Sequence, residues 1–171
     1  ELLNLVAKVQ DLLLDAGENY ASLDAEEFAA MFADVYADSW YLDSLQKTYQ
    51  YGLVQPLLDS DETGRYFFYP SRYALRREVA QCLAPLFDNY TGEIEGSEVY
   101  LSDLEGEDEA LREAVQLLVD HGVILGRPDG KFYPDTTITR AEVSAMLYRI
   151  FQSYAKVGQG PLADQVLDTQ E

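Results

Sequence analysis

The 171-residue chain is long enough to bury a core and to hold one or two domains. Its 12 basic residues against 31 acidic ones leave a formal charge of −19, a field that repels DNA, RNA and anionic lipid, so a nucleic-acid or membrane-surface role is excluded as an expectation. One cysteine, Cys82, rules out an internal disulfide framework and a thiolate zinc site, and one histidine, His121, is a poor basis for a metal centre or a catalytic triad.

In chain order, Leu2, Leu5, Val6, Val9, Leu12 and Leu13 share one face at helical spacing, and Gly17 is the expected stop. Ser22 to Asp24 offers caps for a short helix over 25–32. Asp38 or Ser39 opens a longer helix to about Tyr51, with Trp40 or Tyr41, Leu42, Leu45, Thr48 and Tyr49 inward, and Gly52 ends it. A loop over 53–69 carries Pro56, Gly64 and an aromatic run from Tyr66 to Tyr69. The next helix runs from about Leu75 to Phe87, with Pro85 tolerable only near its end.

Residues 88–99 read as a turn-rich connector in which Asn89-Tyr90-Thr91 matches a glycosylation sequon. A helix over 107–121 follows, placing Leu111, Ala114, Val115, Leu118 and Val119 inward and His121 beside its terminating glycine, in contact with the helix dipole. Thr139 and Glu142 have the spacing of a capping box and start the last helix, which reaches about Tyr154; residues 155–171 read as a tail. Strand signals are confined to short pieces such as Lys131 to Tyr133. The expected class is all-α.

Two stretches align without a gap. Tyr69-Pro70 through Arg76-Arg77-Glu78-Val79 lies on Tyr133-Pro134 through Arg140-Ala141-Glu142-Val143, with Gly52-Leu53-Val54 on Gly122-Val123-Ile124 upstream, and Phe32-Ala33-Asp34-Val35 on Leu101-Ser102-Asp103-Leu104 before that. Together with Trp40, Asp129-Gly130-Lys131-Phe132-Tyr133-Pro134 and Ile138-Thr139-Arg140-Ala141-Glu142, these segments resemble the S-layer homology family over roughly residues 32–154. The resemblance implies tandem helix-loop-helix repeats packed as a pseudo-symmetric bundle. The divisions would be an N-terminal segment over 1–31, repeats over 32–87 and 100–154, a connector over 88–99 and a tail over 155–171. Glu1 to Val9 also aligns with Glu142 to Ile150, so the first segment is either the end of a preceding repeat or an unrelated amphipathic helix.

The family resemblance further implies a module that is not an enzyme, with no cofactor and no metal. It would anchor its host to the cell wall or surface of a bacterium by binding a secondary cell-wall polysaccharide, and it could pair with other repeats of the same or a neighbouring chain. The residues themselves lean the same way. Seven of the twelve basic residues fall within 65–77 and 127–140, at two helix starts where backbone N–H groups reinforce anion binding. Guanidinium suits an acidic, for example pyruvylated, glycan.

The candidate ligand-binding residues are therefore Arg140, Arg76, Asp34, Asp103, Trp40, Gly52, Gly122, Arg77 and Lys131. For Arg76 and Arg140 the alternative is an ion pair with Glu78, Glu142 or a neighbouring acid; for Trp40 it is core packing rather than sugar stacking. The altered helix start Leu75-Arg76-Arg77-Glu78, and Ala110 where a second Trp would stand, support a rival function: a structural or protein-interaction module that no longer binds glycan. Asp59 to Gly64 begins like a calcium loop but has Pro70 where a bidentate Glu is required.

Overall fold

A computed structural model describes residues 1–14, 23–94 and 96–159. The expected Gly17 stop, the Ser22 cap and residues 160–171 of the tail lie outside the described residues. The fold is mostly helical: α1 (Leu2–Leu14), α2 (Ala25–Ala29), α3 (Leu42–Gln50), α4 (Arg76–Leu83), α5 (Glu109–Asp120) and α6 (Arg140–Lys156). The two described strands are short, β1 (Asp59–Ser60) and β2 (Tyr66–Phe67), paired as an antiparallel hairpin. No helix among the described residues is long and apolar enough to cross a membrane.

Local chemistry sets the helix limits. Asp24 caps α2 by accepting the N–H groups of Glu26 and Glu27. Asp108 caps α5 through the Leu111 N–H, so the helix starts at Glu109 rather than Glu107. The Thr139–Glu142 capping box forms as its spacing predicts: Glu142 N–H donates to the Thr139 hydroxyl, and Thr139 N–H donates to the Glu142 carboxylate. At α4 the cap residue is Leu75, which has no hydroxyl, but Glu78 still accepts the Leu75 N–H at 2.6 Å, so one arm of the box survives.

Gly52 and Gly122, at φ +73° and +67°, end α3 and α5 in the same way. In each, the glycine N–H reaches back three residues and the next N–H reaches back five, to Thr48 and Leu118 respectively. That pair of bonds needs a left-handed residue at the turn, which glycine supplies without a Cβ clash.

Several expectations change. Helix α3 begins at Leu42 rather than Asp38 or Ser39, so Trp40 lies outside it and is 68% exposed instead of facing inward. Helix α2 stops at Ala29, short of residue 32, because Phe32 instead bridges to Tyr66 beside the hairpin. Leu12 faces solvent, and Leu3 is buried in its place. Lys131 to Tyr133 forms no strand, because the amides of Phe132 and Tyr133 are taken by a carboxylate (below). Pro85 sits in a 3-10 turn, Ala84–Phe87, that follows α4 and leaves the α-helical ladder intact.

The core has two connected parts. One gathers Val6 of α1, Leu83 of α4, Leu111 and Leu118 of α5 and Ile150 of α6; the other gathers Phe28, Phe32, Leu45, Val54 and Cys82. Cys82 is fully buried, as a small apolar filler. Helix α1 packs on α3 as α4 packs on α5, and α1 also lies against α6.

His121 closes α5 and stacks on Phe87 with ring centroids 3.8 Å apart, with Tyr90 edge-on. Burial holds its pKa below the ordinary value, against the weaker pull of the Asp120 carboxylate. A folded-state pKa that is depressed means the stability contribution is intact above the unfolded value of 6.5 and falls as pH drops below it. The urea midpoint should therefore decline between pH 7.5 and 5.5, and His121→Phe should flatten that part of the profile. An unchanged slope in the variant would contradict the assignment.

Candidate functional site: an arginine-lined groove

The loops that precede α4 and α6 are held by the same device. Asp34 accepts the N–H groups of Phe68 and Tyr69 at 2.9 and 2.7 Å, one on each carboxylate oxygen. Asp103 accepts those of Phe132 and Tyr133 at 2.8 and 2.6 Å. Tyr69 and Tyr133 both adopt left-handed backbone, φ 51° and 60°. That conformation is uncommon for a residue with a Cβ, and here it aims two successive amides at one carboxylate. The two candidate aspartates are thus occupied with their own loops.

The start of α4 is laced to the second of these loops. Arg76 N–H donates to the Thr136 carbonyl, Arg77 N–H to the Pro134 carbonyl, and Ile138 N–H to the Ala74 carbonyl. The Arg76 side chain, 10% exposed, donates Nε–H to the Phe132 carbonyl at 2.8 Å, pairs with Glu142 at 3.0 Å, and lies 4.9 Å over the Phe132 ring. Arg77 bridges Asp135 and Glu107. Both arginines join parts of the chain that are 30 to 66 residues apart.

Beside Arg76 opens a groove of about 240 Å³, with the Val123 to Arg127 segment as one wall and α6 as the other. Three guanidiniums line it, from Arg76, Arg127 and Arg149, against one carboxylate, Glu142. Arg149 donates to the Val123 carbonyl at 2.9 Å. Arg127 lies 5.2 Å over the Tyr133 ring and only 3.7 Å from Glu142, with 47% of its side chain exposed. Glu142 is held below the usual carboxyl range, chiefly by the Thr139 backbone N–H, then by the Thr139 hydroxyl and the Arg76 and Arg127 cations. Burial lowers the Arg76 pKa from the ordinary arginine value, against the pull of the Glu142 carboxylate. The groove therefore carries an excess of positive charge inside a chain of −19.

Arg127 and Arg149 were not among the candidates. Arg127 had a visible signal, since it belongs to the basic cluster ahead of α6; Arg149 had none beyond lying seven residues after Glu142 on the same helix. Arg140 sits elsewhere, 73% exposed and paired with Glu1 at 3.1 Å. Lys131 lies 5.8 Å from the Tyr133 ring. Gly52 and Gly122 act at the helix ends already described. Trp40, 68% exposed, makes an edge contact with Tyr41 just ahead of α3. The structure thus joins Arg76 to a groove but leaves Arg140, Arg77, Trp40 and Lys131 outside its lining.

The Asp59 to Gly64 run is exposed: Asp59 and Ser60 form β1, and the following turn is closed by Asp61 accepting from Thr63 and Arg65. Among the described residues no cluster of His, Cys, Asp and Glu is arranged to hold a metal ion.

Residues 101–144, which span Asp103, the Tyr133 loop and the capped start of α6, match the sequence profile of the S-layer homology domain. This stretch is an S-layer homology domain. The chain is 31% identical over 96 residues to a cellulosome-anchoring protein of Acetivibrio thermocellus, covering 54% of this chain and 21% of that protein. It is 24% identical over 135 residues to an amylopullulanase of Thermoanaerobacterium thermosulfurigenes, covering 77% of this chain and 7% of that protein. The chain therefore spans only a small part of the curated relatives it matches. No solved structure matches it. Within the S-layer homology domain lie Arg127, Glu142 and the Phe132 carbonyl; Arg76, which completes the groove, comes from outside it, and Arg149 from just beyond.

Proposed function

We propose that this chain is a non-catalytic module that anchors its parent protein to the outer surface of a bacterium by gripping an acidic polysaccharide of the cell wall. The observation that carries this reading is the groove with three guanidiniums and one carboxylate in a strongly acidic chain. Arg127 is its accessible member and takes the anionic substituent, while Arg76 and Arg149 are held by carbonyls and supply the surrounding field. The volume suits one sugar ring or a pendant acid group, being below the ~300–1,000 Å³ of drug-sized pockets. The name of the Acetivibrio relative supports the anchoring role.

The groove lies between two repeats in this reading, 32–87 and 100–154. Support comes from the matched Asp34 and Asp103 loop clamps, the matched glycine turns and the equivalent packing of α1 on α3 and α4 on α5. The same equivalence makes α1 the second helix of a third repeat. Arg140 then meets Glu1 as Arg76 meets Glu142. Leu3 and Ala80 are covered by α3 and α5, whereas the aligned Ser144 on α6 is exposed, as is Tyr148 nearby. A helix standing to α6 as α3 stands to α1 would cover that face and build a groove around Arg140.

The test is co-sedimentation with purified peptidoglycan sacculi before and after removal of their acidic polymer. Arg127→Ala should weaken retention roughly tenfold or more, as expected for loss of a charge-assisted contact of about 1.5–3 kcal/mol. Retention that survives polymer removal, or is unchanged in the variant, would overturn the reading. The rival, an interaction module without glycan, draws on one observation. Where the groove has Gly126 and Arg127, the aligned earlier residues are Pro56 and Leu57, so no second site of this kind forms around α4.

A further inference from the structure

A second cavity, with Arg112 in its lining, lies next to Leu101, which abuts Gly126. This cleft, about 230 Å³, is lined in part by Tyr100, Leu101, Leu104, Glu105, Arg112 and Gln116. Its floor is tightly set: Leu101 is buried, and a Cβ built on Gly126 would come within 2.9 Å of its Cδ2. Gly126 thus lines the groove while backing the residue that lines the cleft.

The rim groups are of four kinds. Tyr100 is 63% exposed, and its hydroxyl donates to Glu105, which holds an aromatic ring at the edge. Arg112, in the first turn of α5, makes no ion pair among the described residues, although six other basic side chains do. Its guanidinium and the Tyr100 ring line the same cleft. Gln116 gives its NH₂ to Asp120, leaving its carbonyl as an acceptor. Glu105 keeps its second oxygen as another.

We propose that this cleft is a second saccharide subsite, taking a carboxylate-bearing sugar of the polymer whose neighbouring unit occupies the groove; in that respect it rests on the reading above. Arg112 grips the sugar carboxylate in two-point fashion, and Tyr100 packs against the C–H face of the ring. Sugar hydroxyls donate to Gln116 and Glu105. The carboxylate of Glu105 also discriminates, since it accepts hydroxyl donors and repels a ligand crowded with anionic groups. Two linked subsites raise the retention of a long polymer well above that of either alone.

The experiment is an NMR titration of the full chain with sodium glucuronate, with glucose as the neutral control. Saturable shifts at Tyr100, Arg112 and Gln116 are expected with glucuronate only. They should vanish in Arg112→Ala and persist in Arg127→Ala. Absence of saturable shifts, or their survival in Arg112→Ala, overturns the subsite whatever the polymer does. In the sacculus assay Arg112→Ala should cost roughly tenfold in retention. If glucuronate shifts the cleft but sacculi are not retained, the subsite stands and the anchoring reading fails; if sacculi are retained equally by Arg112→Ala, the subsite fails and the anchoring reading stands.

Discussion

Arg76→Ala should lower the unfolding free energy by about 2 kcal/mol, below the ~3–5 kcal/mol of a fully buried pair because Glu142 is 36% exposed and screened by solvent. The side chain makes three contacts at once: the Phe132 carbonyl, the Glu142 carboxylate and the face of the Phe132 ring. Deleting it leaves the carbonyl and the carboxylate without that donor and loosens the start of α4 from the second loop. Arg76→Lys keeps the charge but cannot reach both oxygens in a fixed fork, so its loss should be intermediate. Urea unfolding followed by circular dichroism measures both, and a loss under about 1 kcal/mol for the alanine variant would show that the network is not structural.

The effect should also depend on pH. The folded Glu142 carboxyl titrates below its unfolded value of 4.5. Its contribution is therefore present above 4.5 and disappears as pH falls through the depressed value. The difference between wild type and Arg76→Ala should narrow in acid.

Asp103→Ala should cost about 2–4 kcal/mol, because it removes one acceptor from two backbone amides, each bond to a charged group being worth about 1.5–3 kcal/mol and the two not fully additive. It also frees Tyr133 from the bond that holds it at φ 60°. Asp103→Asn retains one good acceptor and should lose about half as much. Equilibrium unfolding supplies the number, and hydrogen exchange of the Phe132 and Tyr133 amides supplies the location: both should lose protection together. A variant that is destabilised while those two amides stay protected would place the cost elsewhere. Because Arg76 and Arg127 both lean on this loop, Asp103→Ala should also weaken polymer retention.

These expectations show where sequence reading succeeds. The Thr139–Glu142 capping box, the glycine stops at 52 and 122 and the apolar face of α5 were legible because each depends on residues within a few positions of one another. The aligned Asp34 and Asp103 were visible as a recurring pattern, yet their task was not. Each carboxylate reaches a loop about 30 residues away, and only the folded chain shows both oxygens already taken. The thin strand signal at Lys131 to Tyr133 is likewise not realised, because the carboxylate that captures the Phe132 and Tyr133 amides is distant in sequence.

Local pattern and composition thus determined the helical class, the order of the helices and the gathering of scarce positive charge at two helix starts. Tertiary packing decided which of those charges are spent inside the molecule and which face a groove. Arg76, Arg77 and Arg140 look alike in sequence, but Arg76 is folded against Phe132 and Glu142, Arg77 between Asp135 and Glu107, and Arg140 against Glu1. Whether a guanidinium meets a carboxylate or an open groove is set by contacts across as many as 139 residues, which no local spacing encodes.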